Sequence, residues 1–286
     1  MAKTLLRISS RLFGIFLILL LMSISVSGHD KIIKPRNWLC YYGTTFGPEI
    51  YSKFDMVVLD GYNHPPLEKT YQNYPILLGY LSIGEVDVDG PFWKLAKDKS
   101  YLVRKNEFWD SWIIDIRSPD WQQLIFKTAI PYILSQGFDG LFLDTLDSSL
   151  SLVEGNEGIE NALQGIIRKI KQNYPDKIIT VNRGLPVLSK IAKYIDFILI
   201  EDLYSYYAGD KKGYIKVDTE AQKMLLHYAE EGLKVNPNLG ILTLDYAAND
   251  QIDLALEAIS YSRKKGFIPY VSTYELDQIF FYTLGN

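Results

Sequence analysis

The chain has 286 residues, 48% apolar and 14% aromatic, with 30 basic and 34 acidic side chains. That is a globular composition, long enough for a full core and compatible with one barrel-sized domain. It holds no basic block to track a phosphate backbone, which argues against nucleic acid as a partner.

The first residues differ from the rest. Lys3, Arg7 and Arg11 precede the apolar run Leu12–Met22, and small residues follow at Ser25-Val26-Ser27-Gly28. A basic start, a short apolar core and a small-residue exit read as a secretory signal peptide, residues 1–28, with cleavage near Ser27 or Gly28. A retained N-terminal anchor is the alternative, and would be short for a spanning helix, which needs about 20 residues. The expected location is secreted or cell-surface, with membrane contact only through an uncleaved leader. Removing residues 1–27 takes away three basic residues and no acidic one, moving the net charge from −4 to −7. A mildly acidic protein favours a cationic ligand over an anionic one. Cys40 is the only cysteine, so no internal disulfide forms, and a single thiol in an apolar strand reads as packing.

From Asn37 onward, short apolar runs alternate with helical patterns. Residues 37–43, 54–60 and 75–85 read as the first three strands, the last reaching Glu85. A long connection follows, in which residues 112–117 are either a ninth strand or a rim excursion. Pro119 opens a helical segment to about Ser135. Residues 137–144 form the fourth strand, and Ile159, Leu163, Ile166 and Ile170 mark a helix at steps of four, three and four. Residues 178–184 and 195–201 give the fifth and sixth strands, and residues 217–234 a helix. Residues 240–245 give the seventh strand, Ile252, Leu256 and Ile259 a further helix face, and residues 266–272 the eighth strand. Pro269 lacks a ladder donor and belongs near that strand's end. Eight strands alternating with helices over residues 37–280 predict a single (β/α)₈ TIM barrel. An open doubly wound sheet is the rival, but no glycine-rich phosphate fingerprint follows the first strand.

Active sites in such a barrel sit at the carboxyl ends of the strands. Those ends carry Asp60, Glu85, Asp144, Asn182, Glu201 and Asp245. Converging acids raise one another's pKa, which suits dividing labour between a protonated acid and an ionised partner. The competing reading is that some only cap helices, a common task for aspartate; Asp147, one turn beyond Asp144, is either a cap or a substrate contact. Both faces of the strands are apolar, so side-chain alternation does not reveal which acids point inward. Tyr41, Tyr204, Tyr246 and Tyr270 lie at or near strand ends and would suit a sugar's apolar face and hydroxyls; core packing is the alternative. The three histidines show no metal-ligand spacing, no Gly-x-Ser-x-Gly elbow exists, and no lysine ends a strand. No metal or cofactor is expected, although acids on consecutive strands leave a Mg²⁺-dependent lyase or isomerase as a distant alternative.

Seven pieces in order carry a resemblance: Tyr80–Glu85, Trp112–Arg117, Gly137–Asp144, Asn182–Gly184, Ile200-Glu201, Leu244–Tyr246 and Gly266–Val271. With them the chain resembles glycoside hydrolase family 114, the endo-α-1,4-polygalactosaminidase-like group, from about Asn37 to Asp277. The resemblance implies a carboxylate-pair mechanism on an α-linked polysaccharide or oligosaccharide, amino-sugar polymers being among the candidates; separately, a monomer is expected. It implies Asp144 as nucleophile and Glu201 as general acid/base, with Asp60, Glu85, Asn182, Tyr204, Asp245 and Tyr246 holding the sugar. Glu201 is followed by Asp202, a departure that leaves two acids at one strand end. A carbohydrate-binding barrel without turnover is the alternative.

Overall fold

Eight short strands pair in parallel, in chain order, in the computed structural model, which describes residues 35–67, 74–152 and 157–284. They are β1 (Trp38–Tyr41), β2 (Met56–Asp60), β3 (Ile76–Ser82), β4 (Gly140–Asp144), β5 (Ile178–Asn182), β6 (Phe197–Glu201), β7 (Gly240–Tyr246) and β8 (Ile268–Ser272). This is the expected (β/α)₈ barrel. The leader segment, residues 1–28, lies outside the described residues, among which no helix is long and apolar enough to cross a membrane.

The strands read as unbroken apolar runs because both of their faces are covered. Cys40, Phe142, Leu199 and Leu244 point into the barrel and floor its cavity. The alternate positions Leu141, Leu143, Ile198 and Ile200 turn the other way and are also fully buried. Each such side chain contributes about 1.5–3 kcal/mol by leaving water. The barrel closes at β8 against β1 without a ladder. There Trp38 Nε1 donates to the Ile268 carbonyl at 3.0 Å, and its ring lies 5.8 Å from that of Tyr270. Pro269 sits second in β8, paired only with Thr243 of β7, so its missing donor falls where no ladder runs.

Two expectations need correcting in detail. The third strand stops at Ser82 rather than Glu85. Gly84 is the reason: a Cβ there would lie 2.1 Å from the Thr145 carbonyl, so the chain crosses the end of β4 where only glycine fits. Glu85–Asp87 then pairs antiparallel with Ser111–Ile114, which pairs antiparallel with Leu102–Asn106. Residues 112–117 are therefore part of a rim excursion and not a ninth barrel strand. The second correction concerns the helix Ile252–Lys264. Ile252 and Leu256 are exposed, and the helix buries Ala255, Ala258, Ile259 and Ser262. Small side chains allow close packing on β7, where Thr243 Oγ1 bonds Ser262 Oγ at 2.9 Å.

The remaining helices follow the sequence. In Glu157–Asn173 the four spaced apolar residues are buried. Between Pro119 and Ser135 the helix widens into a π turn at Ile125–Ala129. Pro131 has no N–H and its ring crowds the preceding turn, which a π turn relieves.

Candidate active site

A cavity of about 730 Å³ opens at the carboxyl ends of the strands. The last residues of β2 to β7 all line it: Asp60, Ser82, Asp144, Asn182, Glu201 and Tyr246. Asn182 stands between the two acids. Its Nδ2 donates to Asp144 Oδ1 at 2.9 Å and to Glu201 Oε2 at 3.0 Å. One amide nitrogen holding both oxygens keeps them within about 6 Å of each other. The Tyr246 hydroxyl donates to Glu201 Oε1, and the Tyr80 hydroxyl bonds Asp144. Each carboxylate thus has its own tyrosine and a share of one asparagine.

The turns that follow these side chains are strained alike. Thr145, Arg183 and Asp202, directly after Asp144, Asn182 and Glu201, have φ of 65°, 54° and 58°. Left-handed backbone is costly for a β-branched threonine, and such strain gathers at functional sites. Hydrogen bonds hold it in place. Thr145 Oγ1 accepts from Gly84 N at 2.8 Å and meets Ser82 Oγ at 2.8 Å. Arg183 Nε donates to Asp147 at 3.0 Å, and its Nη1 reaches Asp202 at 3.4 Å.

Eight carboxylates line the cavity against one guanidinium, that of Arg183. Burial, and next the charge of Glu201, push Asp144 up to about 6. Burial, and next Glu201, raise Asp202 to about 7. Burial, with Glu85 and Asp60 adding, raises Asp87. No group of three or more metal-ligating side chains is arranged to hold an ion among the described residues.

Of the expected site residues, Asp60, Glu85, Asp144, Asp147, Asn182, Glu201 and Tyr246 meet at this cavity. Asp60 Oδ1 also caps its own turn, accepting from Tyr62 N and Asn63 N. Glu85 is 4% exposed and serves the rim sheet, accepting from Asn106, Ser111 and Ser148. Four others do not reach the cavity. Tyr41 is fully buried and its hydroxyl accepts from Thr45 N and Phe46 N, holding the loop after β1. Asp245 alternates with the inward Leu244 and Tyr246, and instead receives Tyr204 N and Ser205 N. Tyr204 bonds Glu257 on the outer surface, and Tyr270 is a core ring whose hydroxyl accepts from Phe280 N. Tyr42 and Tyr80 line the cavity instead, their rings edge to face at 5.2 Å. Alternation would have found Tyr42, two residues on from the inward Cys40.

Known proteins share this architecture. The glycoside hydrolase domain of PelA from Pseudomonas aeruginosa is 27% identical, with 86% of this chain and 97% of that one covered and a TM-score of 0.75. Ega3 from Aspergillus fumigatus, solved in complex with galactosamine, is 12% identical, with 85% and 92% covered and a TM-score of 0.65, a likeness of fold. No curated protein sequence matches the chain. The sequence model of glycoside-hydrolase family GH114 matches residues 25–286, and the chain belongs to that family of glycosidases.

Proposed function

We propose that the protein is an exported, endo-acting glycosidase that cleaves an α-linked amino-sugar polysaccharide by double displacement, with Asp144 as nucleophile and Glu201 as general acid/base. The observation that carries this reading is the Asn182 bridge, whose single nitrogen bonds both carboxylates and so keeps the two bonded oxygens within about 6 Å. Retaining glycosidases keep their pair roughly 5–5.5 Å apart, whereas inverting ones leave roughly 6.5–9.5 Å for a water. In the first step Asp144 Oδ attacks the anomeric carbon as its bond to the leaving oxygen breaks, and Glu201 gives that oxygen its proton. In the second, Glu201 takes a proton from water, whose oxygen displaces Asp144 and leaves the sugar with its original anomeric configuration. Tyr80 and Asn182 hold Asp144 in its ionised form, so the acid limb of the rate profile falls near its value of about 6.

The substrate follows from charge. A cavity with eight carboxylates and one guanidinium favours a sugar bearing a free ammonium over a neutral N-acetylated one. The galactosamine bound by Ega3 agrees with that choice. The basic, apolar and small-residue order of residues 1–28 supports export, and N-terminal sequencing of the mature protein would test it. The decisive experiment incubates the protein with de-N-acetylated α-1,4-galactosaminan and follows new reducing ends by NMR. The reading requires early α product, and loss of turnover by orders of magnitude in Asp144→Asn and Glu201→Gln. Early β product would reject double displacement, and unimpaired variants would reject the pair.

A further inference from the structure

The rim sheet between β3 and β4 ends in a tip that carries Phe108 and Trp109. They are 71% and 60% exposed, the highest values among the large apolar side chains described. Their rings meet edge to face at 4.8 Å, and both line the cavity that holds Asp144 and Glu201. Apolar rings displayed together at the rim of a cleft mark a binding surface.

The tip is built to keep them there. Lys105 spans it, with Nζ 3.3 Å from Glu107 and 2.9 Å from Asp110. Phe108 N donates to Asn106 Oδ1 at 3.2 Å, and Asp110 closes the turn with a φ of 49°. Glu85 ties the turn end of both hairpin strands to the segment after β4, through Asn106, Ser111 and Ser148. Arg104 Nη2 adds a second tie to Ser151 at 2.9 Å. These bonds hold the turn that carries the rings in place over the site, so docking a sugar there needs little backbone ordering. Around the barrel, Tyr207 precedes β7 and Tyr274 follows β8, and these stacked rings (4.4 Å, 3°) line the same cavity. Aromatic surfaces thus stand on two sides of the carboxylates.

We propose that Phe108 and Trp109 form a stacking platform for a sugar residue of the same glycan chain, in a subsite beyond the residues that flank the cleaved bond. The proposal rests on the glycosidase reading above. A pyranose ring offers an apolar face to the indole, and an ammonium on an amino sugar is attracted to the ring's negative face. Glu107 and Asp110 beside the rings favour that cation further.

The test uses the mature enzyme and a graded series of de-N-acetylated α-1,4-galactosamine oligomers. Trp109→Ala and the double variant with Phe108→Ala should raise KM for long oligomers about tenfold, the loss of one stacked ring. Their kcat should change less than about threefold, and the shortest cleaved oligomers should be affected least. Trp109→Phe should recover most of the loss. In Glu201→Gln, tryptophan fluorescence should respond to long oligomers, and the response should shrink when Trp109 is also replaced. A wild type that cleaves while Trp109→Ala keeps the same kcat/KM at every length overturns the platform alone. A wild type that neither cleaves nor binds any oligomer overturns both readings, and binding of a protein instead would assign the rings to another partner.

Discussion

Asn182 concentrates the chemistry of the site in one amide. Its two N–H groups go to Asp144 and Glu201, and its Oδ1 is buried without a partner. Removing it leaves two neighbouring carboxylates with no shared donor, so their repulsion rises. Asn182→Ala should therefore lower kcat about 10²–10³-fold, the usual cost of one preorganised donor. It should also move the acid limb of kcat/KM upward, because a lost donor to the ionised form makes Asp144 harder to deprotonate. A limb unchanged in pH would assign Asn182 a purely structural role. Tyr246→Phe separates the two carboxylates' environments: its hydroxyl serves Glu201 alone. Its kcat should drop by about tenfold or more while the limb set by Asp144 stays in place.

At the scale of elements, the joint between β3, the rim sheet and β4 is the feature that places Asp144. Gly84 lies against the Thr145 carbonyl, and Gly84 N donates to Thr145 Oγ1. Gly84→Ala forces the two segments apart and should cost about 1–3 kcal/mol in denaturant unfolding, with a parallel loss of activity. Thr145→Val keeps the shape but orphans that buried N–H, at a similar cost of about 1–3 kcal/mol. A variant that unfolds less readily than wild type would contradict this joint. The same elements show how far the sequence could be read. The eight strands stood out because barrel strands are apolar on both faces and end in polar residues. That double burial also hid the direction of each side chain. Asp245, Tyr41 and Tyr270 share with the true lining residues only their position along a strand, and alternation against Leu244 or Cys40 turns Asp245 and Tyr41 away from the cavity. Tyr204, near the end of β6, is half-buried on the outer side, where its hydroxyl bonds Glu257 away from the cavity. Helix Ile252–Lys264 misled for a related reason. Ile252 and Leu256 face outward, whereas Ile259 packs inward together with small residues that let the helix sit close to the sheet.

For the molecule as a whole, the acids that build the site set a conflict between activity and stability. Burial raises Asp144 to about 6, and Asp202 and Asp245 to about 7. A carboxyl raised on folding binds its proton more tightly in the native state than in the unfolded chain. Its contribution is fully present below the unfolded value of about 4 and is lost as pH rises through the native value, so stability falls from about pH 4 to about pH 7. Asp55 and Asp115 work the other way, since Arg36 and Arg117 hold them down, but their effect is complete at lower pH and their sites are partly open to water. The melting temperature should therefore peak on the acid side of neutrality. With Asp144 as the proposed nucleophile, catalysis needs it ionised and should rise through the range in which stability declines. Asp144→Asn removes one buried charge and should melt higher than wild type near pH 8, while the two should agree more closely near pH 4.5. Thermal melts of both proteins across that range check this. A wild type that gains stability steadily up to pH 8 would show that the buried acids are matched by partners in solution, and that their charges cost the fold nothing.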